Sequence, residues 1–219
     1  MTKEELAKMI DHTFLKLQGS EADIARLCYE AVRYGFASVA ILPTAVPFAC
    51  SILKGTPVKV DAALSFFRGR YPLEVKLREI EDAINMGAQE LDLVMSVNLL
   101  KERQLDALAL EFASFVRAAG GLTTKVILET SLLTDEEKTL ACGLARDAGA
   151  SFVKTSTGLK GSATTHDVTL MRQAVGKKVG VKASGGIRDL KQALEMIRAG
   201  ASRLGTSAGV NIIEAMTGD

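Results

Sequence analysis

The stretch DAGASFVKT at residues 147–155 runs from a charged helical end, through one glycine, into a short apolar segment that closes on a lysine. The same junction recurs as RYGFASVAIL at 33–42, NMGAQELDLVM at 85–95 and RAGASRLGT at 198–206. Gly35, Gly87, Gly149 and Gly200 stand where a helix must stop, because glycine enters the left-handed backbone conformation without a Cβ penalty. The segments that follow are short, continuous and rich in β-branched or aromatic residues, as in strands covered on both faces.

Working outward from these junctions, strands are expected near residues 9–14, 37–42, 58–63, 89–95, 124–129, 151–154, 178–182 and 202–205. Amphipathic helices fit between them. SEADIARLCYEAVRYG at 20–35 places Ser20 at an N-cap with acids in the first turn. TDEEKTLACGLARDAG at 134–149 offers Thr134 and Glu137 in capping-box spacing. Eight strand–helix repeats predict an α/β fold, a (β/α)8 TIM barrel, with residues 1–219 forming a single domain. A doubly wound open sheet is the competing arrangement, and the eightfold count favours the barrel.

Composition narrows the function. A chain of 219 residues with 47% hydrophobic and 24% charged residues can bury a large core. Its net charge of +1 lacks the basic excess of a nucleic-acid or acidic-membrane surface. No apolar run reaches the roughly 20 residues that span a bilayer, and the first residues, MTKEELAKMIDHTF, show no apolar leader centre. Cys28, Cys50 and Cys142 have no metal-ligand spacing and read as buried, reduced thiols of a cytoplasmic protein. Apolar residues in 9–14 and 66–71 read as partly exposed, fit for an interface or a pocket rim.

In a barrel the chemistry lies at the C-terminal ends of the strands. Those ends carry Asp11, His12 and Thr13, then Asp92, then Glu129 and Thr130, then Lys154 and Lys182, and finally GTSAG at 205–209. A single strand-end lysine is ordinarily a snorkelling surface group, but two on adjacent strands of a closed barrel point toward one mouth. Asp92 also reads as a structural carboxylate satisfied by a buried lysine, and His12 as a hydrogen-bonded barrel-end residue. The lysine pair has a specific use. A free lysine is neutral in about one molecule in 2,500 at pH 7, and only the neutral amine attacks a carbonyl. Burial and a second ammonium raise that fraction to roughly a third when they depress the pKa by about three, which suits a Schiff-base lysine. GGIR at 185–188 and GTSAG each stand between a strand and a helix, where backbone N–H groups form an anion site.

IDHTFL, YGFASV, ELDLVM, ETSLLTDEEK, FVKTSTG, VKASGGIRD and GASRLGTS together resemble the deoxyribose-phosphate aldolases along nearly the whole chain. The resemblance implies a class I, Schiff-base aldolase with no metal and no cofactor. It would cleave 2-deoxy-D-ribose 5-phosphate to acetaldehyde and D-glyceraldehyde 3-phosphate, in a cytoplasmic homo-oligomer. It further implies that Lys154 forms the imine, that Lys182 tunes it and assists proton transfer, and that Asp92 relays protons with an ordered water. Gly158, Gly185, Gly186, Gly205 and Ser207 would hold the phosphate, and Asp11 and Thr155 would lie near the sugar. The chain departs from the family at SFFRG (65–69), where Phe67 and Arg68 replace a turn proline and an apolar residue. It also departs at a shortened LKGSATTHD (159–167), at Ala40, Ser96 and Ala208, and at its EAMTGD end. The alternatives are a related aldolase for another hydroxyaldehyde, a non-catalytic sugar-phosphate-binding barrel, and an isomerase or synthase using Asp92 or Glu129 as base.

Overall fold

The structure is a computed structural model and describes residues 1–66, 69–159 and 161–216. Phe67, Arg68, Lys160 and the last three residues lie outside the described residues, so the departures noted there have no structural account. Eight strands, β1 (Ile10–Phe14), β2 (Ser38–Ile41), β3 (Lys59–Leu64), β4 (Glu90–Val94), β5 (Thr123–Ile127), β6 (Phe152–Lys154), β7 (Gly180–Ser184) and β8 (Arg203–Thr206), pair in chain order. All are parallel, and β8 closes on β1. The helices are α1 (Lys3–Ala7), α2 (Glu21–Tyr34), α3 (Val46–Leu53), α4 (Leu73–Asn85), α5 (Val97–Lys101), α6 (Leu105–Ala118), α7 (Asp135–Asp147), α8 (Thr165–Val175), α9 (Leu190–Arg198) and α10 (Gly209–Glu214).

The junction glycines behave as their chemistry requires. Gly35, Gly87, Gly149 and Gly200 all have positive φ, from 69° to 114°, each just past a helix end. Ser20 and Thr134 cap α2 and α7, each in a reciprocal capping box, with Asp23 and Glu137 as partners. The main apolar core lies between the strands and the helices, where Leu91, Leu93, Val126, Val153 and Val181 pack outward against residues such as Phe112 and Phe115.

The strands are covered on both faces as expected, but the inward face is charged and not apolar. Period-two alternation sends Asp11, Asp61, Glu90, Asp92, Lys125, Lys154 and Lys182 inward, all buried. Among the described residues, a small apolar cluster of Ala63, Phe66, Val94 and Ile127 remains near the mouth. Branched aliphatic layers are usual in such interiors; here an ionic lattice replaces them.

Two smaller expectations need correction. Cys28 and Cys142 are buried, but Cys50 is only half-buried, its thiol directed at the Gly87 carbonyl at 3.2 Å. Within 9–14, residues 10–12 are buried in β1, whereas Met9 and Phe14 are partly exposed and Phe14 lines the rim of a cavity at the barrel mouth.

Candidate active site

The centre of the site is Asp92. Its Oδ2 lies 2.7 Å from Lys154 Nζ and 2.7 Å from Lys182 Nζ, and its Oδ1 lies 2.7 Å from Lys125 Nζ. The parallel register sets this up: Asp92 stands beside Lys125 across β4 and β5, and Lys154 beside Lys182 across β6 and β7. Lys182 also reaches Asp11 at 2.6 Å and Asp61 at 3.0 Å. Below, Lys125 gathers Asp61 and Glu90, both at 2.8 Å. Arg203 closes the cluster on Asp11 at 2.6 Å and Glu90 at 3.4 Å. Four carboxylates therefore face three lysines and one arginine, and the cluster is neutral when every group is ionised.

This arrangement separates the two lysines that the sequence paired. For Lys154 burial is the largest influence and lowers its pKa below the ordinary lysine value; Asp92 opposes, and Lys182 adds to the lowering. For Lys182 burial acts the same way, but Asp11, Asp61 and Asp92 outweigh it and raise its pKa. Lys182 is a fixed ammonium and Lys154 is the amine that can become neutral. Burial pushes Asp92 up, yet Lys125, Lys154 and Lys182 hold it well below the usual carboxylate range. Burial, with the Asp92 charge, raises Asp61 to about 6 despite Lys125 and Lys182.

Above the cluster a cavity of about 330 Å³ opens at the barrel mouth. Lys154 reaches it from below, while Gly158, Gly185, Gly186, Gly205 and Ser207 line its wall. Asp11 and Thr155 do not line it. Asp11 is fully buried, bonded to Ser38 and Arg203. Thr155 is stitched to β7: its hydroxyl donates to the Ser184 carbonyl at 3.0 Å and accepts from the Ser184 N–H at 2.9 Å. His12 faces the helices and pairs with Glu30 at 2.7 Å.

The DeoC/LacD family aldolase model matches residues 6–215. The chain belongs to the DeoC/LacD family of aldolases. It is 48% identical to the deoxyribose-phosphate aldolase of Clostridium perfringens (strain 13 / Type A), over 100% of this chain and 99% of that one. With the deoxyribose-phosphate aldolase of Geobacillus sp. (strain WCH70) it shares 50% identity over 98% and 97% of the two chains. The crystal structure of a putative deoxyribose-phosphate aldolase from Coccidioides immitis superposes with a TM-score of 0.94 at 41% identity, over 98% of this chain and 87% of that one. A tetrameric deoxyribose phosphate aldolase from Aeropyrum pernix superposes at 0.92 and 35% identity, covering 98% and 92%.

Within this DeoC/LacD aldolase, sequence reasoning missed Asp61, Glu90, Lys125 and Arg203. A signal was present, since Asp61 in VKVDAAL and Lys125 in TTKVIL interrupt apolar strands. Lys125 is the buried lysine that the structural reading of Asp92 required. Of the departures, Ser96 takes part in a buried cluster outside the barrel. Its hydroxyl lies 2.9 Å from Lys76 Nζ and 2.6 Å from Glu111 Oε2, and it donates to the Gly69 carbonyl at 2.9 Å. Ala208 donates its N–H to Thr206 Oγ1 at 2.9 Å.

Proposed function

We propose that this lyase reversibly cleaves 2-deoxy-D-ribose 5-phosphate to acetaldehyde and D-glyceraldehyde 3-phosphate through an imine on Lys154. One observation carries the reading: a buried amine of lowered pKa opens into a cavity whose wall, on the same face of the barrel, is a set of glycine loops. The amine suits the aldehyde and the loops suit the phosphate. Residues 1–219 act as one catalytic unit in this reading.

Charge is conserved at each step. Lys154 gives up a proton and attacks C1 as the neutral amine. That proton returns to the carbinolamine hydroxyl, which leaves as water, so the ammonium of the resting state is replaced by an iminium of equal charge beside Asp92. The C2–C3 electron pair then moves into the iminium as the C3 hydroxyl loses its proton, which yields a neutral enamine and the aldehyde product. At that moment Asp92 loses one of the three cations that depress it and becomes a better base. It accepts the proton, directly or through water, and returns it to C2. Hydrolysis of the restored iminium releases acetaldehyde and frees Lys154. Lys182 stays charged throughout, orienting Asp92 and disfavouring the charged form of Lys154.

Borohydride trapping with acetaldehyde, followed by peptide mapping, tests this. The expected result is a reduced adduct on Lys154 that vanishes in Lys154→Ala; an adduct elsewhere, or none in folded protein, overturns it. Ala208, where the family resemblance implies a serine, favours a second reading with weaker phosphate dependence. Rates with phosphorylated and unphosphorylated deoxyribose separate the two. We also infer a cytoplasmic homo-oligomer. The tetrameric relative supports assembly, the three free cysteines suit a reducing compartment, and no helix among the described residues is long and apolar enough to cross a membrane. Light scattering that shows only monomer would remove the oligomer.

A further inference from the structure

Glu129 stands at the end of β5, outside the ionic cluster, and three observations single it out. Its backbone is left-handed, with φ 57° and ψ 60°, a conformation unfavourable for a residue with a Cβ. Its carboxyl group is buried without a salt-bridge partner among the described residues, a costly place for an incompletely hydrogen-bonded polar group. Its one described side-chain contact is a hydrogen bond at 2.9 Å, in which Oε1 accepts the backbone N–H of Thr157; Oε2 has no partner among the described residues.

Thr157 lies between the nucleophile and the loop glycine, at the third position after Lys154 and directly before Gly158. The segment has two anchors. On the β7 side Thr155 and Ser156 both donate to the Ser184 carbonyl, at 3.0 and 2.8 Å. Gly158, at φ 82°, lies beside the Gly185 backbone, which a Cβ there would meet at 3.4 Å, an ordinary van der Waals contact. On the β5 side the Thr130 N–H donates to the Thr155 carbonyl at 3.0 Å, and Glu129 holds Thr157. Removing the Glu129 carboxylate releases Thr157 on that side and leaves the Thr130–Thr155 backbone bond in place.

We propose that Glu129 is a positioning residue for the loop after β6, setting the wall against which the phosphate end of the substrate is held. It acts on the anionic end and not on the imine, because its carboxylate touches Thr157 and none of the groups around Lys154. The strained backbone is the means: a left-handed residue at the strand end turns the side chain under the neighbouring loop. This inference rests on the aldolase reading above, and deepens it.

The test uses the full chain with Glu129→Ala, Glu129→Gln and Glu129→Asn. Asn accepts the left-handed backbone well but is one methylene too short to reach Thr157, which covers the case in which the alanine variant fails to fold. Gln keeps an acceptor oxygen at full length. We expect Ala or Asn to raise KM for deoxyribose 5-phosphate by about tenfold with a smaller change in kcat, and Gln to restore KM to within about threefold of the parent. Unphosphorylated deoxyribose should show a much smaller KM change than the phosphorylated sugar. An unchanged KM in folded Ala or Asn variants overturns the inference, as does an equal loss on both sugars. Acetaldehyde trapping in the parent protein separates the two failures. If the parent gives no adduct, the aldolase reading itself falls; if it gives one while the variants show no phosphate-selective effect, only the role of Glu129 falls.

Discussion

Lys154 has the only cluster amine that lines the mouth cavity, and this decides what its loss should do. Lys154→Met, which fills nearly the same space, should lower kcat by at least about 10³-fold while the protein stays folded. Circular dichroism and a rate assay together check this. The pH dependence follows from the direction of the Lys154 shift. Because burial lowers its pKa, the neutral amine should accumulate below the ordinary lysine value of 10.5. The initial rate of acetaldehyde trapping should rise with pH and level off before about pH 10. A rate still climbing in proportion to hydroxide at that pH would show an unshifted lysine. Lys182 shows why identical residues at matched strand ends can differ: three carboxylates within 3.0 Å hold its proton, while Lys154 has one.

At the scale of an element, the loops after β6 and β7 form one unit. Gly185 has φ 99°, and a methyl group there would lie 2.6 Å from the backbone carbonyl of Gly161. Gly185→Ala should therefore destabilise the protein by about 1–3 kcal/mol and raise KM for the phosphorylated sugar. Denaturant midpoints and steady-state rates would detect both changes. The segments VKTSTG and VKASGG were legible as a nucleophile and an anion loop because two lysines on adjacent strands of a closed barrel face one mouth, each just ahead of a glycine loop. Their mutual stitching was not legible, since the family resemblance placed Thr155 near the sugar and Ser156 read as a small hydroxyl residue. In the structure both hydroxyls donate to the Ser184 carbonyl of the next strand.

Across the whole molecule, stability depends on the balance of the interior charges. Lys125→Met leaves Asp61, Glu90 and Asp92 crowded around an apolar tip and should cost about 3–5 kcal/mol near neutral pH. The sign of its pH dependence follows from Asp61. Its folded pKa is raised to about 6, above the ordinary value near 3.8, so its stabilising contribution is present below the unfolded value and is lost as pH rises through about 6. Without Lys125 the carboxyl should hold its proton more tightly still, and the variant should lose stability more steeply than the parent between pH 5 and pH 8. The difference in Tm between the two proteins should therefore be larger at pH 8. An equal difference at both values would mean that Asp61 does not carry the repulsion.

The sequence by itself determined the order of strands and helices, their closure in an eightfold repeat, and the strand ends that carry Lys154, Lys182 and Asp92. Those features are local, written in helix-stopping glycines, capping residues and the alternation of strands. Only the tertiary structure decided which lysine is held charged, which residues reach the cavity, and that Asp61, Glu90, Lys125 and Arg203 belong to the same cluster. A pKa inside the barrel is set by groups far apart in the chain. Asp11 and Arg203 pair across 192 positions, and Lys182 and Asp61 across 121. Closure of the barrel brings them together, and no local pattern encodes their distances.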